Sequence, residues 1–432
     1  MKVKIKGQTG QELFESVRCL IASGELKEGD ALPPVRELAA EVGVNRNTVA
    51  GVYQRLVKSG LAETKGRLGT RVKSRQSSQQ QDGITETKLM DLADGNLRKD
   101  WFPSLDQLAA KAQLRQFVYG EAPILPEIEQ FGREWFKDIC PPHMGLSITS
   151  GAVDSLERLM SAHLLPGDQV IVEDPCYLGS STAIKLAGMH PVGVSIDSDG
   201  MVADELESKL SKGARAVLIT PRAHNPTGCC YSKQRAEAIR EVLSRYPNVL
   251  VLIDDHYALL AEQPYYNLIA ENSMYWGVFR SVSKGLGPDL RLAFVAADPV
   301  TTERLQSRLT IGMNWVSRIL QSLVITALKS DSIDQQLQVM SQHCRQRNQW
   351  LIEALEANGL SIQGPVEGVN LWVPVNGDPQ ASAYELSKHG WLVRPGSQFD
   401  IDGKALGLRV TTTKLSQELA LQLAKDIVSA CT

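Results

Sequence analysis

The stretch from Arg280 to Arg291 holds residue types that could bind a phosphate group and offer an amine to an aldehyde. Ser281 and Ser283 can donate hydrogen bonds to phosphate oxygens, and the planar guanidinium of Arg291 can bind the dianion at two points. Lys284 can form a Schiff base with a carbonyl compound if its ammonium group is desolvated enough to lose its proton. Pyridoxal phosphate carries both a phosphate and an aldehyde. A surface Ser/Lys/Gly loop is the alternative, and the arginine beyond the Gly-Pro turn argues against it.

The elements that must position these groups are short apolar strands that alternate with helical segments after residue 89. They are rich in β-branched residues and nearly continuous in apolar character, as in strands that are covered on both faces. The runs occur at 147–149, 169–172, 216–220, 249–253 and 292–296. This alternation predicts a largely parallel α/β sheet. Ligands of such sheets bind at the carboxyl ends of the strands, where further candidates should lie.

Polar residues follow several of these strands and suit a pyridoxal ring. Asp254 can pair with a protonated pyridine nitrogen, and Tyr257, three residues later, can then reach the phenolic oxygen of the ring. Asn225 can hydrogen-bond the same oxygen, and Tyr177 could stack on the ring. Gly151 opens a helix after a strand, where free backbone N–H groups and the helix dipole favour a phosphate.

Each of these features also has a structural explanation. A packed loop tyrosine would account for Tyr177, and small residues such as Gly151 are common where helices begin. The run Asp254-Asp255-His256 could bind a metal ion, but the sequence has no other cluster of His and Asp residues to complete such a site. We therefore expect no metal.

Two arginines near the C-terminus could bind a carboxylate group. Arg394 precedes a Pro-Gly turn, and Arg409 lies within a short predicted strand. Arg409 is the candidate for a substrate or effector carboxylate, because a guanidinium can bind a carboxylate at two points. A structural arginine in a salt bridge explains the same residue equally well.

The N-terminal region has the pattern of a helix-turn-helix. Apolar residues at helical spacing predict a first helix over 11–22, and a proline opens a second helix that ends before Gly43. Asn45 is a good N-cap for a third helix over 46–58. In this arrangement the start of the third helix faces the major groove of DNA.

Two short strands follow, over 61–64 and 69–73, and the basic turn between them predicts a wing that contacts the backbone or the minor groove. A small helical domain with solvated arginines is the alternative, but it would not explain a capped helix, a Gly turn, a basic helix start and a basic hairpin in that order. The predicted DNA contacts are Arg36 and Asn45 on phosphates, Arg46, Asn47 and Thr48 on base edges, and Lys65 and Arg67 in the wing.

The charge distribution agrees with a DNA-binding N-terminus. Residues 1–75 contain fourteen Lys and Arg against eight Asp and Glu, a net charge of +6, whereas the whole chain has −3 and the remainder therefore −9. The seven cysteines are scattered without a CxxC pair, so we expect reduced thiols. No apolar run is long enough to span a membrane and no signal-peptide core is present, so we expect a cytoplasmic protein.

The length of 432 residues and a polar connector predict two domains. Residues 74–88 are rich in Gln and Ser, which predicts a flexible linker with a span on the order of 20 Å. A DNA-binding domain over 1–73 and a ligand-binding domain over 89–432 would flank it. The sequence leaves open whether the DNA-binding domain packs on its own large domain or on that of a partner.

The motifs of both domains resemble known families. LPPVRELA, GVNRNTV and RLGT resemble the winged-helix domain of GntR-type bacterial regulators over about residues 8–73, with a slightly altered wing turn. SGA, EDPxY, NPTG, DDxY, SxSK followed by Arg, and LR occur in the order typical of fold-type I aminotransferases over about 90–432. A winged helix joined to such a domain is the architecture of the MocR regulators, a branch of the GntR family.

The resemblance implies a role for each candidate in the large domain. These roles are Lys284 for the Schiff base, Asp254 for the pyridine nitrogen, Asn225 and Tyr257 for the phenolic oxygen, Tyr177 for ring stacking, Gly151, Ala152, Ser281, Ser283 and Arg291 for the phosphate, and Arg409 for a carboxylate. Two positions depart from the family pattern, Val153 in place of a polar residue and Leu125-Pro126 in place of a leucine-arginine pair. Both changes bear on turnover more than on cofactor binding.

The family forms dimers with active sites at the subunit interface, which implies a homodimer in which Tyr119 reaches the partner's site. Its two recognition helices would bind two half-sites of a double-stranded DNA operator. The implied function is a transcriptional regulator that responds to pyridoxal phosphate and to an amino-acid or amine effector, in vitamin B6 supply or amine metabolism. A working aminotransferase with an attached DNA-binding domain is the alternative, and a structural scaffold is a third.

Overall fold

The two parts of the chain form separate hydrophobic cores in the computed structural model, which describes residues 4–64, 69–72, 82–83, 85–312, 314–362, 364–403 and 405–431. The chain divides into a first unit of Met1–Gln80 with Leu165–Gly167 and a second unit of Gln81–Leu164 with Asp168–Thr432.

Three helices and a hairpin form the first unit, in the order that the sequence predicts. The helices are α1 (Gly10–Ala22), α2 (Val35–Val42) and α3 (Arg46–Lys58), and the hairpin joins β1 (Ala62–Thr64) to β2 (Thr70–Val72) as antiparallel strands. The apolar stripes of the helices and one face of the hairpin meet in a single core. Its buried members include Leu13, Phe14, Val17, Leu38, Val49, Val52, Leu56, Ala62 and Val72.

The start of α3 is fixed by a cap and by a contact with the segment before α2. The side chain of Asn45 accepts a hydrogen bond from the backbone N–H of Asn47 at 2.8 Å, so the predicted N-cap is present. The hydroxyl of Tyr53 donates to the backbone oxygen of Pro33 at 2.6 Å. Together the two contacts fix the direction in which α3 leaves the turn.

The second unit alternates strands and helices along most of its length. Its elements are β3 (Met90–Asp91), α4 (Leu105–Lys111), α5 (Pro126–Phe136), β4 (Gly145–Thr149), α6 (Ala152–His163), β5 (Gln169–Asp174), α7 (Leu178–Leu186), β6 (His190–Asp197), β7 (Gly200–Met201), α8 (Ala203–Ser211), β8 (Ala216–Ile219), α9 (Lys233–Ser244), β9 (Leu250–Asp254), β10 (Tyr275–Ser281), α10 (Ser283–Leu286), β11 (Ala293–Ala297), α11 (Pro299–Ile311), α12 (Arg318–Leu328), α13 (Asp331–Ala357), β12 (Asn370–Pro374), α14 (Pro379–Lys388), β13 (Trp391–Leu392), β14 (Arg394–Pro395), β15 (Gly407–Thr411) and α15 (Gln417–Cys431).

Eight of these strands form one sheet in the order β4-β11-β10-β9-β8-β5-β6-β7. The strands β10, β9, β8, β5 and β6 are parallel to their neighbours in this series, whereas β11 and β7 run antiparallel to theirs. The prediction of a largely parallel α/β sheet is confirmed, and all five predicted strands are present. Helices cover the sheet, so its central strands are buried along their whole length.

Three strands of this sheet, β6, β10 and the two-residue β7, were not predicted from the sequence. β6 begins with His190-Pro191 and contains Gly193, and β10 contains Gly277 and Arg280. Proline, glycine and charged residues are unfavourable in isolated strands, so the sequence pattern is weak. Pairing with the strongly apolar neighbours β5 and β9 overrides that local preference.

A smaller C-terminal layer packs around its own core. β12, β15 and β14 form a three-stranded antiparallel sheet, and α13, α14 and α15 supply helices to the same apolar cluster. β13 pairs in parallel with β3, at the start of the second unit. This layer carries Arg394 in β14 and Arg409 in β15, where the two residues are paired across adjacent strands.

The cap at α3 gives a testable prediction about local stability. Replacing Asn45 by Ala leaves a backbone N–H of α3 without its partner and should destabilise the helix by about 1 kcal/mol. Hydrogen–deuterium exchange of α3 amides should therefore become roughly fivefold faster. Asn45→Asp keeps an oxygen acceptor and should exchange like the wild type. Equal exchange in the Ala and Asp variants would contradict the capping role.

Candidate functional site

The predicted ligand-binding residues lie at the carboxyl ends of neighbouring strands. Asp254 ends β9 and Ser281 ends β10, and Lys284 follows in the first turn of the short helix α10. On β11, Ala293 pairs with Ser281 on one side and with Thr149, the last residue of β4, on the other. The sheet register therefore brings the loops after β4, β9 and β10 to the same edge.

Lys284 points its amine at a backbone carbonyl of the second unit. Its Nζ donates to the oxygen of Gly95 at 3.1 Å. Burial lowers the pKa of Lys284, and the positive charge of Arg409 acts in the same direction, whereas Asp82 and Asp94 oppose the shift. A lysine with a lowered pKa loses its proton more readily, which is what nucleophilic attack on an aldehyde requires.

Arg291 and the turn before α6 form a cradle that can accept an anion. Gly151 has φ of +107°, and a Cβ at this position would lie 2.3 Å from Nη2 of Arg291, so the close approach depends on glycine. Ala152 opens α6, whose first backbone N–H groups are directed out of the helix N-terminus.

Ser281 and Ser283 lie next to each other at the end of β10. The backbone N–H of Ser283 donates to Oγ of Ser281 at 3.2 Å, and Oγ of Ser283 donates to the oxygen of Leu290 at 3.5 Å. Ser281 is buried and Ser283 is half-buried. The Ser283 hydroxyl thus lies beside the segment that contains Arg291.

The two neighbouring carboxylates after β9 have different environments. Asp255 is completely buried and binds two arginines, at 2.7 Å to Arg222 and 2.8 Å to Arg280. Oδ1 of Asp254 is buried without a hydrogen-bond partner among the described residues, and Nδ1 of His256 lies 3.6 Å from it. Asp255 is therefore used by the fold, whereas Asp254 keeps an acceptor atom available for a ligand.

Tyr257 also has an unsatisfied polar atom. Its side chain is buried, and its hydroxyl has no nitrogen or oxygen partner among the described residues; the weakly polar thiol of Cys344 lies beside it. Burial raises the pKa of Tyr257 well above its usual range, so the hydroxyl keeps its proton and can donate to a ligand oxygen. Buried orphan groups of this kind are rare in folded proteins and call for an explanation.

Tyr177 and Asn225 complete the set that the sequence predicted. Burial raises the pKa of Tyr177 to about 12, Asp82 and Asp254 add to the rise, and Arg409 opposes it. Tyr177 thus lies close enough to both Asp254 and Arg409 for their charges to shift its pKa. Oδ1 of Asn225 accepts from Nη1 of Arg409 at 3.2 Å, so its amide turns toward the carboxylate site.

Arg409 is fully buried and is bound by a carboxylate that the sequence analysis did not identify. Its Nη2 lies 2.7 Å from Oδ1 of Asp82, and its Nη1 donates to Oδ2 of Asp82 at 2.9 Å. Nη2 also donates to the oxygen of Ala93 at 2.5 Å. Asp82 lies in the polar segment predicted as a linker, where neither periodicity nor a motif marks a binding residue.

The fit to pyridoxal phosphate can be judged from these atoms. The cofactor has a ring nitrogen that needs an acceptor, a phenolic oxygen that needs donors, a phosphate and an aldehyde. Asp254 Oδ1 and the Tyr257 hydroxyl are orphaned groups of the required types. The Gly151–Arg291 cradle suits the phosphate, and the Lys284 amine suits the aldehyde. The residues present therefore fit the group.

The first unit exposes most of the predicted DNA contacts. Arg36, Asn45, Arg46 and Asn47 are exposed and Thr48 is half-buried, all on α2 or at the start of α3. The Asn45 oxygen is already used in the cap, which leaves its amide N–H groups for a phosphate. The predicted wing residues Lys65 and Arg67 lie outside the described residues.

The described part of the chain offers neither a metal centre nor a membrane-spanning helix. No group of three or more His, Cys, Asp and Glu side chains there could hold a metal ion. Among the helices of the same residues, none is both long enough and apolar enough to cross a bilayer.

The buried cluster around Asp255 gives a prediction that tests the difference between the two carboxylates. Asp255→Asn leaves two buried guanidinium groups without their anion and should destabilise the second unit by about 3–5 kcal/mol. All seven tryptophans lie in that unit, so urea unfolding followed by tryptophan fluorescence reports on it alone. Asp197→Asn, which breaks an exposed pair with Arg235, should cost at most about 1 kcal/mol.

The same variant has a predicted dependence on pH. Burial would raise the pKa of Asp255, but Arg222 and Arg280 outweigh it and lower the pKa below its usual value. Because its pKa is lower in the folded state, Asp255 stabilises the protein at pH values above its unfolded-state pKa of about 3.9. This stabilisation is lost as the pH falls through the folded-state pKa. The difference in free energy of unfolding between the wild type and Asp255→Asn should therefore decrease only under acid conditions. A constant gap down to the lowest pH would contradict the ion-pair assignment.

Comparison with known proteins relates both units to characterised families. Residues 87–427 match the family of class I and II aminotransferases, and residues 9–72 match the gntR family of bacterial regulatory proteins. The vitamin B6 salvage pathway transcriptional repressor PtsJ of Salmonella typhimurium is 46% identical over 427 residues, which cover 99% of both chains. The HTH-type transcriptional regulator TauR of Rhodobacter capsulatus is 25% identical over 91% of this chain and 90% of its own.

Solved structures show the same fold for the second unit. The kynurenine aminotransferase of Pyrococcus horikoshii superimposes with a TM-score of 0.70 at 21% identity, covering 80% of this chain and 91% of that one. The multiple substrate aminotransferase of Thermococcus profundus gives the same TM-score and identity, and 92% of it is covered. With both units matched in one chain, the predicted architecture is confirmed: the protein belongs to the GntR-type transcriptional regulators of the MocR branch, in which a DNA-binding winged helix is joined to a fold-type I aminotransferase-like domain.

Proposed function

We propose that this regulator binds pyridoxal phosphate at Lys284 and that the cofactor changes its affinity for DNA. The observation that carries the proposal is the pair of orphaned buried groups, Oδ1 of Asp254 and the hydroxyl of Tyr257, at the strand edge that also holds Lys284. A fold that leaves such groups unsatisfied loses free energy, unless a ligand satisfies them. Pyridoxal phosphate as the ligand and a family of transcriptional regulators together favour a protein that senses the cofactor.

Each predicted residue has a role in holding the cofactor. Lys284 supplies the amine for its aldehyde carbon, Asp254 binds the ring nitrogen, and Tyr177 packs on the ring face. The remaining contacts are Tyr257 and Asn225 for the phenolic oxygen and Gly151, Ala152, Ser281, Ser283 and Arg291 for the phosphate. When bound, the cofactor draws electrons away from an attached amine and its carbon, and Asp254 strengthens that effect by keeping the ring nitrogen protonated. Arg409 binds the carboxylate of an amino-acid effector.

The domain limits follow from the same assignment. The winged-helix DNA-binding domain comprises residues 1–73, a linker follows over 74–88, and the cofactor-binding domain comprises 89–432. Arg46, Asn47 and Thr48 read base edges in the major groove.

DNA binding is proposed to involve two copies of the chain. Leu114, Val118 and Tyr119 are apolar side chains of one segment, and more than half of each is exposed. Tyr119 packs edge-on against Trp315 at 5.7 Å between ring centroids. An exposed apolar segment of this kind favours burial against a second copy, so that two recognition helices reach two half-sites of an operator. Dimers with and without exchanged DNA-binding domains both satisfy this requirement.

The relative described as a vitamin B6 salvage pathway repressor supports a target of the same kind. A gene of vitamin B6 or amine metabolism would give the cofactor a direct regulatory meaning, because its concentration would report on the pathway. By linkage, DNA must then change the affinity for the cofactor by the same factor as the cofactor changes the affinity for DNA.

Aminotransferase activity is the second candidate. It would use the same residues as the sensor, and the lowered pKa of Lys284 is compatible with both functions, because a lysine that binds the aldehyde or transfers a proton must first lose its own. A steady-state assay with common amino acids and 2-oxo acids separates the two functions. Turnover in the ordinary enzyme range, about 1–1000 per second, would favour the enzyme over the sensor.

Lys284 provides the first test of the sensor. Titration of the wild type with pyridoxal phosphate should produce a visible absorbance band, and Lys284→Ala should not produce it, because the amine that holds the aldehyde is absent. Gel shifts on DNA from upstream of the chain's own gene should respond to the cofactor in the wild type and not in the variant. Lys137→Ala changes an exposed lysine on another part of the unit and should behave like the wild type. Identical binding curves for wild-type protein with and without cofactor would remove the sensor role.

Arg46 provides a separate test of the DNA-binding assignment. Arg46→Ala should weaken operator binding by about 1–3 kcal/mol, because it removes a contact to a base edge or its adjacent phosphate. Arg18→Ala serves as the control, since Arg18 is an exposed arginine of α1 outside the predicted contacts and pairs with Glu15. Equal losses in both variants would indicate a general charge effect and would contradict the assigned recognition helix.

A further inference from the structure

The carboxylate site at Arg409 already holds a carboxylate of the chain itself. Asp82 faces Arg409 with both of its oxygens, at 2.7 Å from Nη2 to Oδ1 and 2.9 Å from Nη1 to Oδ2. Nη1 thus makes a hydrogen bond to Oδ2, and Nη2 makes an ion-pair contact with Oδ1, which has no hydrogen-bond partner among the described residues. A guanidinium presents the same two nitrogens to a free carboxylate. Nε of Arg394 lies 3.5 Å from Oδ1, and the amide nitrogen of Asn225 lies 3.4 Å from Oδ2.

The surroundings are shaped for this contact. A Cβ at Gly95 would lie 2.7 Å from Oδ2 of Asp82 and 3.3 Å from Nη2 of Arg409, so the absence of a side chain there leaves room for the carboxylate. Gly95 has φ of +67° and its oxygen accepts from Nζ of Lys284. Asp82 therefore occupies a position between the carboxylate-binding arginine and the segment that contacts the reactive lysine.

Charge makes the occupancy favourable. Arg409 is fully buried and the Asp82 side chain is 14% exposed, so removal of the anion would leave a buried guanidinium without its partner. Burial would raise the pKa of Asp82, but Arg409, Arg394 and Lys284 outweigh it and hold that pKa below its usual value. The carboxylate is thus ionised at neutral pH and competes with any other anion for the same arginine.

We propose that Asp82 is an internal ligand of the Arg394–Arg409 site, and that a small-molecule carboxylate binds there only by displacing it. The proposal rests on the proposed function in one respect, since it takes the same pocket as the effector site. It adds that the effector must carry a carboxylate, and that its binding releases a residue only ten positions after Val72, the last residue of the winged-helix hairpin. Occupation of the site by a ligand carboxylate and its occupation by Asp82 are then mutually exclusive.

Competition of this kind has a measurable size. If Asp82 occupies the site nine-tenths of the time, the apparent affinity of a small-molecule carboxylate for the site falls about tenfold. The probe is propionate, a monocarboxylate that has no amine and cannot react with a carbonyl group. Calorimetric titration of the full chain without cofactor should show propionate binding about tenfold more tightly to Asp82→Asn than to the wild type.

Two control variants separate charge from packing. Asp82→Glu keeps a carboxylate on a longer side chain, so its affinity for propionate should stay closer to that of the wild type than to that of Asp82→Asn. Asp197→Asn removes a carboxylate from the exposed pair with Arg235 and should leave propionate binding unchanged. Asp82→Asn should also melt at a lower temperature than the wild type, and propionate should restore most of the loss by replacing the missing anion.

The outcomes are decisive in both directions. Equal propionate affinity in the wild type and Asp82→Asn contradicts the proposal, as does equal behaviour of the Asn and Glu variants. If Asp82→Asn is poorly folded, failure of propionate to raise its melting temperature contradicts it as well. The titration needs neither pyridoxal phosphate nor DNA, so a chain that shows this competition but no cofactor response would overturn the proposed sensor function and leave the internal ligand standing.

Discussion

Three buried arginines of the second unit are each held next to a carboxylate. Arg409 has no exposed surface, and Arg222 and Arg280 are almost as deeply buried, so each needs a carboxylate at contact distance. Asp255, directly after β9, pairs with Arg222 and Arg280 and is a fixed part of the fold. Arg409 obtains its anion from Asp82, which approaches from outside the sheet on a different part of the chain. In the proposed competition, a ligand carboxylate replaces Asp82 but not Asp255, which distinguishes the proposed binding site from the structural core.

The parallel sheet explains why the binding groups meet although they are far apart in sequence. The loops after β4, β9 and β10 bring their candidate residues to the same edge, and the register through Ala293 aligns the ends of β10 and β4. The antiparallel strand β11 lies between them and carries no predicted contact of its own. Because the strands are buried and rigid, the cofactor-binding groups can be held in place before any ligand arrives, which lowers the entropic cost of binding.

Much of this arrangement could be predicted from the sequence, because strand-end motifs such as those around Asp254 and Lys284 combine a local pattern with a specific chemistry. The helix limits of the first unit could also be predicted, because Asn45 caps α3 and apolar residues recur at helical spacing. The strands β6 and β10 were not, because Pro191, Gly277 and Arg280 obscure their pattern and only pairing with neighbours fixes them. Asp82 could not be predicted at all: its segment is polar and of low complexity, and its partner Arg409 lies 327 residues away.

In the proposed function, one pocket in the aminotransferase-like domain is coupled energetically to DNA binding by the winged helix. Its most direct test is a measurement of reciprocity on the wild-type chain: the dissociation constant of pyridoxal phosphate with and without saturating operator DNA, and that of the DNA with and without saturating cofactor. Both ratios should differ from one and agree with each other, as linkage requires. Tight cofactor binding with both ratios equal to one would show that the pocket is not coupled to DNA binding and would rule out the proposed sensor.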